Sequence, residues 1–236
     1  MTEELFRQDA YLERCEAIVV AADRDGIELD RTVFYPLGGG QPGDTGHLRR
    51  TDGTRIAIVD TRKGGSGGRI LHVPDEGSAI PLPGEAVRAE INWQRRHRHM
   101  RFHTCLHLLC SLVDAPVTGG SIAEDKARLD FDLPEQTLDK VSLSEQLNAL
   151  VASDYPVTAR WISDAELQAQ PELIRTMSVK PPSGHGQVRL MEIPGVDLQP
   201  CGGSHVAHTK EIGRVKVRKI EKKGRQNRRV IVVFDE

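Results

Sequence analysis

Residues 1–90 contain short apolar-rich runs separated by turn residues, a pattern typical of β-strands. The first two runs flank the pair Asp25-Gly26, a strong signal for a hairpin turn. A Gly-rich stretch at residues 64–68 predicts the connection of a second hairpin. The predicted strands cover residues 15–20, 26–34, 56–60, 69–73 and 85–92.

Beyond residue 90, helical and strand patterns follow one another along the chain. An apolar run over residues 102–113 belongs to a helix that is predicted to begin near Trp93, with Asn92 as its cap. Residues 138–152 predict an amphipathic helix, with Ser142 and Ser144 as possible starts. Further strands are predicted at residues 128–133, 157–162, 188–193, 214–221 and 230–234, the last two as a hairpin around a basic turn at residues 222–229, with a loop at residues 181–186. The pattern predicts an α+β protein with a β-rich domain at residues 1–90 and an α+β domain at residues 91–236.

Two histidines on the first predicted helix have metal-ligand spacing. His103 and His107 are four residues apart, so both imidazoles lie on one helical face. About a hundred residues later, Cys201 and His205 form a C-x-x-x-H pair in a Gly-rich turn. Three nitrogens and one sulfur suit tetrahedral zinc, so the four residues predict one Zn²⁺ site. Cys110 shares the helical face and is either a spare ligand or, as the spacing favours, a buried thiol.

Composition narrows the class of protein. No apolar run approaches the roughly 18 residues that span a membrane, and the polar N-terminus does not match a secretory signal. Four cysteines without paired spacing argue against a disulfide framework and favour the cytoplasm. The net charge of −2 conceals an acidic part at residues 1–90 and two basic runs, at residues 95–101 and 214–229. This distribution indicates a local anionic partner.

The loop at residues 38–46 combines three consecutive glycines with polar side chains. Glycines allow a backbone to approach a ligand closely, and Gln41, Asp44 and Thr45 offer polar contacts. From the residues alone, a tight turn that closes a small barrel is the alternative, and it is the favoured one.

Several long segments of the chain resemble the editing domains that act on alanyl-tRNA. Residues 101–109 (RFHTCLHLL) are similar to the family's R-x-H-T-x-x-H-L-L segment, and residues 201–206 with 209–213 to its C-G-G-T-H-V…T-x-E-I-G segment. Residues 34–46 are similar to its Y-P-x-G-G-G-Q-P-x-D-x-G loop, and residues 222–229 match a further segment. The nearest group is the free-standing trans-editing proteins of intermediate length. Ser204 stands where the family usually has threonine.

The resemblance implies a small β-barrel domain followed by a two-layer α/β editing domain that holds zinc. It also implies hydrolysis of the aminoacyl ester of mischarged tRNA(Ala), with Ser-tRNA(Ala) as the expected substrate. Serine recognition is expected at Gly39 and Gly40, with Gln41 or Thr45 as the partner of the serine hydroxyl and a polar contact from Ser204. The residues expected to contact tRNA phosphates are Arg214, Lys216, Arg218, Lys222, Lys223, Arg225 and Arg228.

Two other functions fit parts of the sequence. A nucleic-acid-binding module with purely structural zinc would explain the basic runs but not the Gly39-Gly40 loop. A metallohydrolase of small esters or amides would explain the zinc but not the basic segment at residues 222–229. The sequence gives no indication of oligomeric state.

Overall fold

The computed structural model describes residues 2–23, 25–65, 68–134, 138–176 and 186–236, so the loops predicted at residues 64–68 and 181–186 fall partly outside it. The chain forms two compact units. The first comprises Met1–Gly38 and Pro42–Arg98, and the second comprises Gly39–Gln41 and His99–Glu236. The domain boundary expected at residues 90 and 91 stays a prediction.

Six strands of the first unit close into a barrel in the order β2-β3-β7-β6-β5-β8, which confirms the small β-barrel. The elements of this unit are β1 (Glu3–Glu4), α1 (Leu5–Gln8), β2 (Arg14–Ala22), β3 (Ile27–Leu29), β4 (Arg31–Thr32), β5 (Gly46–Arg50), β6 (Arg55–Gly64), β7 (Arg69–Pro74) and β8 (Ala86–Ile91). The Asp25-Gly26 hairpin is present, since β2 and β3 pair antiparallel. The short strands β1 and β4 pair parallel with each other.

The barrel interior follows the alternation along its strands. Ala17 and Val19 of β2 are buried, while Ile18 and Val20 between them are exposed. The polar side chain of His72 is fully buried as well. Its Nδ1 donates to the Ile27 carbonyl at 2.8 Å and its Nε2 lies 2.7 Å from the Thr32 hydroxyl. Both ring nitrogens of the neutral imidazole are therefore satisfied.

Helix α2 (Trp93–Leu112) begins in the first unit. The Asn92 side chain accepts a hydrogen bond from the Arg95 backbone N–H at 3.2 Å, which confirms Asn92 as the cap. Arg96 is fully buried, where its Nε donates to Asp44 Oδ2 at 2.8 Å and its guanidinium also donates to the Val33 carbonyl. The buried ion pair ties the Gly-rich loop to the first turns of the helix, and removal of either partner would leave an uncompensated buried charge.

The second unit contains two antiparallel sheets, with strand orders β14-β15-β10-β9 and β11-β12-β13. Its elements after α2 are β9 (Val117–Ile122), β10 (Ala127–Asp132), α3 (Lys140–Ala152), β11 (Thr158–Ser163), α4 (Asp164–Gln168), β12 (Gln187–Ile193), β13 (Asp197–Pro200), β14 (Val215–Lys223) and β15 (Asn227–Phe234). Single 3₁₀ turns lie at Pro171–Leu173 and Thr209–Ile212. Helices and sheets together confirm the α+β class.

Helices α2 and α3 cover one face of the four-stranded sheet. Phe102 of α2 stacks on Phe234 of β15 with ring centroids 3.9 Å apart. Asn148 of α3 exchanges two hydrogen bonds with the backbone of Val215, at 2.7 and 3.1 Å. Along β10 every second side chain is buried, which leaves Arg128 on the opposite face of the sheet.

Some local predictions need correction. Helix α3 is capped by Asp139, whose carboxylate accepts from the Ser142 N–H at 2.7 Å, so neither Ser142 nor Ser144 starts it. The last hairpin pairs as far as Lys223 with Asn227, so the segment predicted as a long basic turn is mostly strand. Within the described residues, no helix has the length and apolar character needed to span a membrane.

Candidate metal centre

The four side chains with metal-ligand spacing lie together in the second unit. One ligand atom from each of His103, His107, Cys201 and His205 lies within 4.8 Å of all the others. Cys201 Sγ is 3.4 Å from His103 Nε2 and 3.2 Å from His205 Nε2. The three histidines are buried, whereas Cys201 is partly exposed. Cys201 is thus the least buried residue of the cluster.

Each histidine of the cluster is held by a partner on its Nδ1 atom. His103 Nδ1 lies 2.8 Å from Gln41 Oε1, and His107 Nδ1 lies 2.7 Å from Asp197 Oδ2. His205 Nδ1 lies 3.2 Å from the Thr104 hydroxyl. Carbonyl and carboxylate oxygens only accept, so His103 and His107 carry their protons on Nδ1. Nε2 of each of these two histidines is therefore the atom that can bind an ion, an arrangement common around protein metal ligands.

The protonation states of Cys201 and His205 favour metal binding. Burial would raise the pKa of the Cys201 thiol, but the imidazoles of His103 and His205 outweigh it and hold that pKa well below its usual value. Burial and the neighbouring His103 lower the pKa of His205 to about 3. Burial lowers the pKa of His107 as well, but Asp197 and Cys201 raise it to about 10. Near neutral pH His107 therefore holds a second proton, which a bound metal would displace. A thiolate beside neutral His205 is the form that binds a soft divalent metal.

The loop that carries Cys201 is fixed by its own backbone. Arg189 donates to the carbonyl oxygens of Cys201 and Gly203 at 3.1 and 2.9 Å. The Gly203 N–H points at Cys201 Sγ at 3.4 Å. A Cβ on Gly203 would lie only 2.0 Å from His103 Cε1, so the close approach of loop and helix requires glycine there.

The donor set fits a metal ion. The four donor atoms, one sulfur and three nitrogens, lie within 4.8 Å of one another, which is consistent with a tetrahedral zinc site. Cys110 lies outside the cluster, and burial raises the pKa of its thiol to about 12, as expected of the structural thiol that the sequence favours. Among the described residues, the cluster of His103, His107, Cys201 and His205 is the one group of histidine, cysteine and acidic side chains close enough together to hold a metal.

The Gly39-Gly40 turn belongs to the same unit and both glycines are exposed. Their φ angles of 57° and 80° are left-handed, which favours glycine. Gly40 is seated on β9, since its carbonyl accepts from Ile122 N at 2.8 Å and a Cβ would lie 2.9 Å from the Gly120 carbonyl oxygen. At Gly39, by contrast, no heavy atom lies within 4 Å of a Cβ position. Gly39 thus presents open backbone, whereas Gly40 is required by packing.

Gln41, Ser204 and Thr45 were also predicted to contact the substrate, and they lie in different surroundings. Gln41 is fully buried; its Oε1 accepts from the Ser204 N–H at 3.1 Å and its Nε2 donates to the Ser204 hydroxyl at 2.7 Å. Ser204 is buried as well. Both side chains thus link the Gly39-Gly40 turn to the metal cluster. Thr45 lies in the first unit, where its carbonyl accepts from Asn92 N at 2.7 Å. Direct contacts of these three residues with a substrate stay predictions.

The predicted phosphate-contacting residues lie on or directly before the β14–β15 hairpin. Some are engaged within the protein: Lys216 pairs with Asp235 at 2.7 Å, and Arg228 donates to the Pro134 carbonyl at 2.6 Å. Lys223 lies 3.3 Å from Glu221. Arg218, Lys222 and Arg225 are exposed and make no ion pair with the part of the chain that the structure describes, and Arg214 is exposed just before β14.

Three positions that orient the site were not singled out from the sequence: Thr104, Asp197 and Arg189. Thr104 stands inside the segment that resembles the editing family, so its signal was present. Asp197 lies four residues before Cys201 on the short strand β13, with Gln199 Nε2 donating to its Oδ2 at 3.0 Å. No local pattern marks Arg189, because its partners are backbone carbonyls.

The β-barrel unit and the α+β unit with its His/Cys cluster agree with the architecture that the resemblance to tRNA editing domains implies. A family model described as "Threonyl and Alanyl tRNA synthetase second additional domain" matches residues 188–231. A second, described as "tRNA synthetases class II (A)", matches residues 6–95.

Curated relatives are similar over nearly the whole chain. The alanyl-tRNA editing protein AlaX-M of Methanosarcina acetivorans is 37% identical over 241 residues, covering 98% of each chain. That of Methanosarcina barkeri is 38% identical over 239 residues, again with 98% of each chain covered. An alanine–tRNA ligase of Metallosphaera sedula is 35% identical over 229 residues, which span 94% of this chain and 25% of the ligase. The chain belongs to the family of alanyl-tRNA editing proteins, as its motifs indicated.

Proposed function

We propose that this protein is a trans-editing enzyme that removes serine from mischarged tRNA(Ala), with zinc held by His103, His107, Cys201 and His205. Membership of the family of alanyl-tRNA editing proteins supports the enzyme class, an aminoacyl-tRNA hydrolase, and tRNA(Ala) as the partner. The zinc and the choice of serine are the finer part of the proposal. The observation that carries them is the connection of the exposed Gly39-Gly40 turn to the metal cluster through Gln41.

The chemistry is hydrolysis of an ester, which passes through a tetrahedral oxyanion. Zinc in this site would stabilise negative charge or bind water when present. The chain's own part is to hold the ligands: Asp197 orients His107 and Gln41 orients His103. Four protein ligands fill a tetrahedral shell, so an organising role for the metal is favoured over direct activation of water.

Discrimination between serine and alanine requires a polar contact with the serine hydroxyl. A site built to bind a hydroxyl rejects the analogue without it by up to ~10⁴-fold or more, because its polar groups are left unpaired. The open backbone at Gly39 gives space for the amino acid. The neighbouring Gln41, or Thr45 of the first unit, remains the proposed partner of the hydroxyl.

Deacylation of Ser-tRNA(Ala) and Ala-tRNA(Ala) by the purified protein tests the proposal. We expect a large preference for the seryl ester and about one zinc per chain by elemental analysis. Cys201→Ala should lose zinc and activity together, because the thiolate is the softest ligand. Equal rates on the two esters would refute the specificity and leave the hydrolase standing. Binding of tRNA without any deacylation would favour the alternative of a binding module.

The two glycines of the turn separate recognition from folding. Gly39→Ala meets no neighbouring atom, so it should retain zinc and the fold but reduce the preference for serine over alanine. Its left-handed φ adds a strain of about 1 kcal/mol. Gly40→Ala, which collides with Gly120, should reduce the melting temperature much more. If Gly39→Ala keeps the full serine preference, the open backbone at Gly39 is not where serine is read.

A further inference from the structure

A second candidate site lies on the face of the four-stranded sheet opposite the helices. A cavity of about 240 Å³ is lined there by four cationic side chains together with Ser121 and Ile231. The cations are Lys126, Arg128, Arg218 and Arg229. Lys126 and Arg128 stand outside the basic run at residues 214–229, so the sequence pattern did not group the four.

The sheet register brings these residues together. Arg128 of β10 pairs with Ser121 of β9 on one side and with Ile231 of β15 on the other. Side chains in such a cross-strand row lie on one face of a sheet. A register shift between Val217 and Lys219 leaves Arg218 outside the regular pairing, and its side chain lines the same cavity.

The charge of the cavity is only partly neutralised. Asp130 pairs with both Arg128, at 2.5 Å, and Arg229, at 2.7 Å, which fixes the two guanidinium groups. Lys126 lies 3.7 Å from Asp125 at an exposed position. Arg218 has no carboxylate partner in the described part of the chain. The excess positive charge fits a phosphate.

The cavity adjoins the proposed amino-acid site. Ser121 lines the cavity, and the next residue, Ile122, donates its N–H to the Gly40 carbonyl at 2.8 Å. A Cβ on Gly40 would lie 3.5 Å from Ser121 Cα. A phosphate in the cavity would therefore belong to the last nucleotides before the acylated end, and Ile231 offers an apolar wall for a ribose.

We infer that this cavity binds a phosphodiester of the single-stranded 3′ end of the aminoacylated tRNA. The inference rests on the proposed function, because that function supplies an RNA whose acylated end reaches the Gly39-Gly40 turn. Arg218 is already expected to contact tRNA phosphates; the inference groups it with Lys126, Arg128 and Arg229 and assigns the group to the 3′ end. The hairpin tip, at Lys222 and Arg225, would reach phosphates elsewhere on the tRNA.

Substrates with and without phosphates test the inference. The variants are Arg218→Ala, Lys126→Ala and their combination, because Arg128 and Arg229 are tied to Asp130. Each is assayed on seryl-adenosine, which has no phosphate, and on a seryl-CCA trinucleotide. The ratio of kcat/KM for seryl-CCA to that for seryl-adenosine should fall about 10-fold in the double variant. Lys140→Ala, an exposed lysine on α3, should leave the ratio unchanged.

Binding of a CCA trinucleotide that carries no amino acid, measured by fluorescence anisotropy, tests the cavity independently of hydrolysis. In the double variant the slope of log K against log salt should be smaller by about 0.7 for each phosphate that the cavity no longer neutralises. An unchanged ratio and an unchanged slope would overturn the inference while wild-type deacylation upholds the proposed function. If the wild-type protein deacylates no RNA, the proposed function fails, and the binding slope alone decides whether the cavity holds a phosphate.

Discussion

Replacement of Gly203 by alanine should displace a metal ligand without any change in the ligands themselves. The added Cβ would lie 2.0 Å from His103 Cε1 and 2.3 Å from His103 Nδ1, whereas real Cβ contacts stay beyond about 3.0 Å. The imidazole must therefore retreat by about 1 Å, while metal–ligand distances are held within roughly 0.2 Å. The displacement also moves Nδ1 from Gln41 Oε1, its 2.8 Å partner.

Gly203→Ala should reduce zinc affinity more than a substitution of a residue that only hydrogen-bonds to a metal ligand. Changes to residues that only orient a ligand reduce metal affinity about 10- to 100-fold, so displacement of His103 itself should cost at least about 100-fold, or about 2.8 kcal/mol. Competition with a chromophoric zinc chelator measures the affinity, and circular dichroism checks the fold.

The matched control is Gly119→Ala in the same unit, where the nearest atom to a Cβ, Asp130 Oδ2, is 3.5 Å away. Its zinc affinity should equal that of the wild type. If Gly203→Ala binds zinc as tightly as the control does, His103 is not a ligand and the proposed cluster is wrong.

Further predictions concern orientation, pH and RNA binding. Asp197→Asn removes the charge that lies 2.7 Å from His107 Nδ1, so zinc affinity should fall about 10- to 100-fold in the same titration. Burial lowers the pKa of His72 from 6.5 to about 4, so the unfolded chain binds a proton that the folded barrel does not. Stability is therefore complete above about pH 6.5 and should decline by up to about 3 kcal/mol as the pH falls to about 4. The free energy of unfolding of His72→Gln, measured with denaturant, should lack this part of the dependence on pH. Parallel curves of free energy against pH for the variant and the wild type would contradict the prediction. Lys222→Glu with Arg225→Glu should weaken binding of uncharged tRNA and flatten its salt dependence; unchanged values would exclude the hairpin tip as a contact.

Much of the local structure followed from short-range patterns. The short apolar run at residues 15–20 and the Asp25-Gly26 pair predicted the first hairpin, and Asn92 predicted the start of α2. Strand β9, with sequence VTGGSI, was missed because glycine weakens any strand pattern. It forms because its neighbour β10 supplies a pairing edge, and Gly120 leaves room for Leu129, whose Cδ2 would lie 2.9 Å from a Cβ at that position.

The ligand types and their spacing can be read from the chain alone, since an i, i+4 pair on a helix and a C-x-x-x-H turn are local geometries. The family can be read in the same way, through motifs that extend along nearly the whole chain. The surroundings of the ligands became visible only in the folded protein: Asp197 behind His107, Gln41 between the Gly-rich turn and His103, and the cationic cavity on the open sheet face. These contacts join residues far apart in sequence. Sheet register and backbone packing bring them together, and neither leaves a periodic trace in the chain.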